Sequence, residues 1–422
     1  MSRFRLYPTC AQEASLRGHC AMARFVWNLA VEQGSHWRPH RKSAPRFAEQ
    51  CRQLTEARAD NAWLAAGSHT VQQQALRDFA QAMSAFFAGT HRRPTWRKLG
   101  RDEGFRIVGG QAQKVRRLSR RLGEVWIPKV GWVRFAWSRQ VPAAKSYRVT
   151  KDRAGRWHIA FAAVPEPIPA PATDAVVGVD RGVVTSATLS TGELFVAPGL
   201  GPKEAERLLR LKRRLARSEP GSKRRARLTS QIARLAARQT DRRKDFVEKA
   251  TTYLARSFDV IAIEDLNIKN MTRSARGTVQ VPGTRVRQKA GLNRGILNSG
   301  WGDLARRLED KAPGRIVKVR AAYTSQTCSA CGRVDPDSRK SQAEFACTVC
   351  GHTEHADVNA AKNIIDRALG RGFAAGRAVT ARGGGPMGTP ANREPTCRPA
   401  TRTKASRAVI PALSGGEDVK VQ

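Results

Sequence analysis

Two pairs of closely spaced cysteines constrain the fold of this chain more than any other feature. Two residues separate Cys328 from Cys331, two separate Cys347 from Cys350, and fifteen lie between the pairs. Four thiolates at this spacing match the tetrahedral coordination of zinc, and four sulfur ligands leave no open position for catalysis. The pattern therefore predicts one structural Zn²⁺ held by an insertion at residues 326–353.

Two other interpretations of these cysteines remain open in the sequence. In the first, the four thiols are buried and bind no metal. In the second, His352 or His355 replaces one of the cysteines, because imidazole nitrogen is also a zinc ligand. Both histidines follow the last cysteine within five residues.

The rest of the chain lacks the marks of a membrane or exported protein. Its other cysteines are scattered, and no stretch approaches the roughly 18 consecutive apolar residues that span a bilayer. The N-terminal residues lack the long apolar core of a signal peptide. We therefore expect reduced thiols, no membrane partner and a cytoplasmic location in a bacterium, with access to the nucleoid.

The charge balance of the chain indicates a polyanionic partner. The 422 residues include 76 Lys and Arg but only 35 Asp and Glu, which gives a formal net charge of +41. A folded chain of this charge repels itself unless anions neutralise it, and arginine matches the geometry of phosphate oxygens. Nucleic acid is the expected partner. The alternative is a basic surface that water alone solvates.

Hydrophobic periodicity divides the chain at a linker rich in proline and alanine, residues 165–174. Before the linker, alternating apolar residues predict an antiparallel barrel or sheet formed by residues 1–9 and 100–164. Apolar residues at helical spacing predict a helical insertion at residues 10–99. Low apolar content predicts that the basic tail, residues 370–422, is disordered.

After the linker, alternating strand and helix patterns predict an α/β domain at residues 175–325 and 354–369. One of its strands is expected at residues 183–189. Residues 203–256 are expected to form a helical hairpin with a narrow apolar stripe and many arginines.

Three acidic residues stand at positions where an α/β domain places its ligands. Asp180 and Glu264 each end an apolar strand, and Asp357 precedes a predicted helix. Carboxylates that converge repel one another and are stable together when divalent cations lie between them. Two cations roughly 4 Å apart would activate water and stabilise the leaving oxygen of a phosphodiester. The alternative is that each acid only caps an element.

The order of these motifs resembles the RuvC-like nuclease of the TnpB family. The resemblance lies in Gly-Val-Asp180-Arg-Gly, Ile-Glu264-Asp-Leu-Asn, the four cysteines and His-Ala-Asp357-Val-Asn-Ala-Ala-Lys-Asn-Ile. It extends over roughly residues 3 to 368. The family consists of transposon-encoded RNA-guided DNA endonucleases, ancestral to the type V CRISPR effectors.

The resemblance implies a fold and a set of functional residues. The fold would be an α/β RNase H-like (RuvC) nuclease domain with an inserted zinc ribbon. A wedge-like antiparallel β-barrel carrying a helical recognition insertion would precede it. The family's catalytic acids fall on Asp180, Glu264 and Asp357, which would bind Mg²⁺ or Mn²⁺. Its zinc ligands fall on Cys328, Cys331, Cys347 and Cys350.

The partners implied by the resemblance are a guide RNA and double-stranded DNA, with the oligomeric state left undetermined. Guide pairing would read the DNA sequence while the protein holds the nucleic-acid backbone. The candidate contacts on the basic hairpin are Arg207, Arg210, Arg213, Arg214, Arg224, Arg225 and Arg227. For each arginine, a solvated position without a phosphate contact is the alternative.

Two other functions are compatible with this reading. One is a guided DNA-binding regulator that does not cleave, which the presence of all three acids disfavours. The other is a guide-independent nuclease, because the same fold supports more than one activity.

Overall fold

The computed structural model describes residues 2–36, 44–101 and 103–370. The chain divides into two compact units. The first comprises Met1–Pro165 and Gly201–Arg238, and the second begins with Glu166–Leu200 and resumes at Gln239. Apart from Gly370, the tail predicted to be disordered lies outside the described residues.

The first unit is built on a seven-stranded antiparallel sheet. Its strands are β1 (Ser2–Tyr7), β2 (Gly104–Val108), β3 (Val115–Arg117), β4 (Leu122–Ile127), β5 (Gly131–Ala136), β6 (Ser146–Lys151) and β7 (Trp157–Phe161). They lie in the order β2-β6-β7-β1-β5-β4-β3. The start of β1 pairs with β7 and its end pairs with β5, so this strand joins the two halves of the sheet.

Helices between the first two strands pack on this sheet. They are α1 (Cys10–Ser35), α2 (Phe47–Asp60), α3 (Ala62–Ala66) and α4 (His69–Phe87). Thr9 begins α1 with a capping box, because its hydroxyl accepts the Gln12 N–H while the Gln12 side chain accepts the Thr9 N–H. Buried Leu16 and Phe79 of the helices share one core with Phe4 and Phe135 of the sheet.

Two long helices form the predicted basic hairpin. They are α5 (Pro202–Ala216) and α6 (Lys223–Ser257), and the part of α6 from Gln239 onward belongs to the second unit. Within the first unit, Leu211, Leu228 and Leu235 form a buried contact between the helices. This apolar contact is narrow, so most of the hairpin surface carries charge.

The second unit contains a five-stranded mixed sheet. Its strands are β8 (Val176–Asp180), β9 (Ala187–Leu189), β10 (Leu194–Phe195), β11 (Val260–Glu264) and β12 (Ile316–Val319). They lie in the order β10-β9-β8-β11-β12, with β8, β11 and β12 mutually parallel. The expectation of a strand at residues 183–189 is wrong in its first half. Burial of Arg181 and a hydrogen bond from the Trp301 indole to the Gly182 carbonyl hold that segment as a loop.

The second unit also contains four helices and a small hairpin within the described residues. They are α7 (Ile268–Met271), α8 (Val286–Ser299), α9 (Trp301–Lys311), α10 (Ala356–Ala368), β13 (Glu344–Ala346) and β14 (Thr353–His355). The last helix therefore includes Asp357 in its first turn. None of the helices in the described part of the chain is long and apolar enough to span a membrane.

Candidate functional site

The three predicted acids lie at one edge of the five-stranded sheet. Asp180 ends β8 and Glu264 ends β11, and the pairing of Val179 with Ile263 places these acids side by side. Parallel strands present their carboxyl ends at the same edge, where ligands bind in α/β proteins. Asp357 joins them because α10 packs directly on β8, where a Cβ at Gly178 would lie 1.9 Å from the Ala361 carbonyl oxygen.

Burial and mutual repulsion dominate the electrostatics of these acids. Burial, followed by the charges of Glu264 and Asp357, raises the pKa of Asp180 to about 8. Burial also raises the pKa of Glu264, against the opposing effects of a Thr324 hydroxyl hydrogen bond and the Arg181 charge. These are buried oxygen donors with unfavourable mutual charge, which is the donor set that hard divalent cations bind.

The acids are spaced more widely than the ligands of a single small ion. Across residues 2–36, 44–101 and 103–370, the four cysteines are the one group of possible ligands whose donor atoms all lie within 4.8 Å of one another. At least one pair of the three carboxylates is therefore farther apart than that. The acids share a neighbourhood without forming a single compact cluster.

Two arginines that the sequence analysis did not select contact this site. Arg339 donates from Nη2 to the Asp357 Oδ1 at 2.9 Å, and Arg181 is 5% exposed and donates to the Glu264 carbonyl oxygen. Arg181 follows Asp180 directly in the chain, which was a signal available in the sequence. Arg339 lies inside the zinc-binding insertion, and only the tertiary structure brings it to Asp357.

The four cysteines form the predicted metal site. The Sγ atoms of Cys328 and Cys350 are 3.7 Å apart, as are those of Cys331 and Cys347. A backbone N–H donated by Cys350 is the main cause that lowers the pKa of the Cys347 thiol to about 6, which favours the thiolate that binds zinc. His355 instead accepts the Asp357 N–H at the start of α10, so the described structure places it outside the cysteine group.

The seven hairpin arginines fall into two groups. Arg225 donates to the carbonyl oxygens of Leu215 and Ser218 at the turn between α5 and α6. Its guanidinium therefore holds the hairpin together. The other six are exposed to solvent, namely Arg207, Arg210, Arg213, Arg214, Arg224 and Arg227.

Three family models match parts of the chain. Residues 146–275 match a family described as "Probable transposase", residues 301–364 match "Cas12f1-like, TNB domain", and residues 2–43 match "Helix-turn-helix domain". In the described part of the last match, residues 2–36, the structure contains a strand followed by one long helix.

Relatives match nearly the whole chain. "Putative RNA-guided DNA endonuclease InsQ" of Escherichia coli K12 is 35% identical over 406 residues, which cover 93% of this chain and 96% of that protein. A protein of Streptomyces pristinaespiralis with the same functional description is 31% identical over 91% of this chain and 90% of its own length. A CRISPR-associated endodeoxyribonuclease, Cas12f1 of Sulfoacidibacillus thermotolerans, is 38% identical over 92 residues, 21% of each chain.

Proposed function

The chain belongs to the TnpB family, and from this premise we propose that it is a transposon-associated, RNA-guided DNA endonuclease. Its reaction is hydrolysis of phosphodiester bonds in target DNA at a RuvC-type site. The observation that carries this function is the meeting of Asp180, Glu264 and Asp357 at one edge of the five-stranded sheet. Relatives matched over more than nine-tenths of the chain are named for the same activity.

The residues of the site fit divalent cations, Mg²⁺ or Mn²⁺. Asp180, Glu264 and Asp357 would hold them, and the spacing of the carboxylates suits two ions better than one. Bound cations would supply activation of water and stabilisation of the leaving oxygen. The hydroxyl of Thr324 orients the Glu264 carboxylate through a 3.0 Å hydrogen bond, and Arg339 orients Asp357.

The four cysteines would hold one structural Zn²⁺. Their Sγ atoms are already gathered on two turns, where the Gly332 and Gly351 N–H groups bond back to the carbonyls of Cys328 and Cys347. Four sulfur ligands close the coordination sphere, so this metal would stabilise the fold and take no part in hydrolysis.

The partners in this function are a guide RNA and double-stranded DNA, with no membrane partner. The seven-stranded sheet would serve as the wedge-like β-barrel, residues 1–9 and 100–164, and the helices at residues 10–99 as the recognition insertion. The six exposed hairpin arginines would contact nucleic-acid backbone, since phosphate contacts need no base sequence. Guide pairing would then select the target. A cytoplasmic location gives access to such DNA.

Plasmid cleavage tests the proposed function. The protein is co-expressed with the non-coding RNA that flanks its gene and is then incubated with target plasmid and Mg²⁺. We expect cutting by the wild type and none by Asp180→Ala, which should still bind the target because the change removes no phosphate contact. Intact plasmid with every candidate guide would overturn the proposal.

Two controls separate the other candidate functions. Equal target occupancy by wild type and Glu264→Ala, with no strand scission by either, would indicate a guided DNA-binding regulator. Cutting that survives RNase treatment and purification without RNA would indicate a guide-independent nuclease.

A further inference from the structure

Two asparagines of α10 are buried without contacting the acids themselves. Asn359 is fully buried and Asn363 is 3% exposed. Burying a primary amide is unfavourable unless its donors and acceptor are satisfied. Both side chains are satisfied by one backbone segment, residues 324–329, which leads into the first pair of cysteines.

Asn359 binds the chain on both sides of a zinc ligand. Its Nδ2 donates to the Thr327 carbonyl oxygen at 2.7 Å, and its Oδ1 accepts the Ser329 N–H at 2.8 Å. Cys328 lies between these two residues and is buried. The amide of Asn359 therefore fixes the backbone that carries the first sulfur ligand.

Asn363 binds the same segment one turn further along α10. Its Nδ2 donates to the carbonyl oxygens of Thr324 and Thr327, at 2.9 and 2.7 Å. The hydroxyl of Thr324 in turn donates to the Glu264 Oε1 at 3.0 Å. The segment held by the two asparagines thus also positions the second acid.

The same region of the chain reaches the third acid by two routes. Asp357 lies two residues before Asn359 on α10, so a shift of the clamped segment against the helix changes the setting of both. Arg339, between the two pairs of cysteines, donates to Asp357. Segment 324–329, α10 and the zinc-binding insertion are therefore connected by hydrogen bonds to two of the three acids.

We propose that Asn359 and Asn363 are positioning residues that couple the cysteine metal site to the catalytic acids. Metal at the four cysteines fixes the turn at Cys328, the two amides transmit that position to α10, and Thr324 transmits it to Glu264. Loss of the metal frees the turn, so the acids lose the geometry in which they bind divalent cations. This inference rests on the proposed function for its catalytic consequence, but the coupling between the two metal sites does not depend on it.

The first test measures coupling without any cleavage. Purified full-length protein, with zinc or after zinc removal by a chelator and dialysis, is titrated with Mg²⁺ while its thermal unfolding midpoint is followed. We expect the Mg²⁺-dependent rise in the midpoint to need at least about 10-fold more Mg²⁺ in the zinc-free protein and to recover when zinc returns. An identical Mg²⁺ response with and without zinc would overturn the proposal.

The second test uses Asn359→Ala and Asn363→Ala, with Asn293→Ala as the matched control. Asn293 of α8 also donates its amide to two loop carbonyls, those of Thr272 and Arg273, but it does not touch the segment at residues 324–329. We expect the first two variants to release zinc to a chromogenic chelator at least about 10-fold faster than wild type. The control should release zinc at the wild-type rate.

Cleavage separates the failure of this inference from failure of the proposed function. In guided cutting, Asn359→Ala should bind target within about 2-fold of wild type and cut bound DNA at least about 10-fold more slowly. If the wild type does not cut, the proposed function fails while the zinc and Mg²⁺ measurements still decide the coupling. Wild-type zinc release and cutting by both asparagine variants would overturn it. If Asn359→Ala does not fold, the zinc-depletion titration on the wild type still decides.

Discussion

At the scale of single residues, Asp180 shows how burial and repulsion prepare a site for cations. Its pKa is raised to about 8 in the metal-free protein, above the ordinary value of 3.8. Between these values the native protein holds a proton that the unfolded chain releases. Asp180 therefore favours the native state at low pH, and this contribution is lost as the pH rises from about 4 to about 8.

Asp180→Asn should make the stability of the metal-free protein less dependent on pH. The amide has no charge to bury, so the variant should gain at least about 2 °C in unfolding midpoint over the wild type at pH 8. At pH 4 the two proteins should nearly coincide. Thermal unfolding in Mg²⁺-free buffer measures the difference. Asp245→Asn, at an exposed position paired with Lys249, is the control and should show no such gain.

At the scale of elements, the contact between β8 and α10 decides where Asp357 lies. Gly178 leaves room for the helix backbone, because a Cβ there would stand 1.9 Å from the Ala361 carbonyl oxygen and 2.9 Å from Ile365. A backbone atom cannot move aside as a flexible side chain does. The glycine therefore sets the distance between the strand that carries Asp180 and the helix that carries Asp357.

Gly178→Ala should destabilise the second unit by about 3 kcal/mol, since it overpacks a strand–helix contact. Chemical denaturation followed by circular dichroism measures the loss. Gly199→Ala is the matched control, because a Cβ at Gly199 meets nothing within 4 Å. The control should stay within about 0.5 kcal/mol of the wild type. Equal stability of the two variants would contradict the close packing.

The basic hairpin allows a similar separation between structural and binding roles. Arg207, Arg210 and Arg214 are exposed on α5, whereas Arg225 holds the turn of the hairpin. Replacing the first three with alanine should lower the slope of log affinity against log salt by about 3, roughly 0.9 for each lost phosphate contact. Filter binding of guide RNA over a salt series measures the slope. Arg225→Ala should reduce hairpin stability and leave the slope within error of wild type.

At the scale of the whole molecule, the net charge of +41 is the dominant quantity. Such a chain gains more from releasing counterions of nucleic acid than from any single contact. If about ten phosphates are neutralised, affinity for nucleic acid should fall by roughly 10⁵ between 50 and 200 mM salt. Equilibrium binding at four or more salt concentrations checks this expectation, and a flat profile would contradict it.

Much of the architecture was predictable from local pattern. The capping box at Thr9 began the first helix where expected, and the break before Lys223 separated the two hairpin helices. The helix α8 was missed, because an arginine- and glycine-containing stretch lacks a clear apolar face. The barrel and the domain limits stay predictions, since strand pairing across a long helical insertion is not encoded in any short segment.

The sequence alone determined the cysteine site and the placement of Asp180 and Glu264. Ligand spacing within 23 residues and strand ends are local properties, so the chain's covalent geometry restricts them. Only the tertiary structure decided that Arg339 reaches Asp357, that Thr324 reaches Glu264, and that Asn359 and Asn363 hold the first cysteine turn. These partners are tens of residues apart or lie on irregular backbone, where sequence periodicity carries no signal. Their meeting depends on how α10 packs on the sheet, because a buried polar group takes whichever partner the packed core leaves within reach.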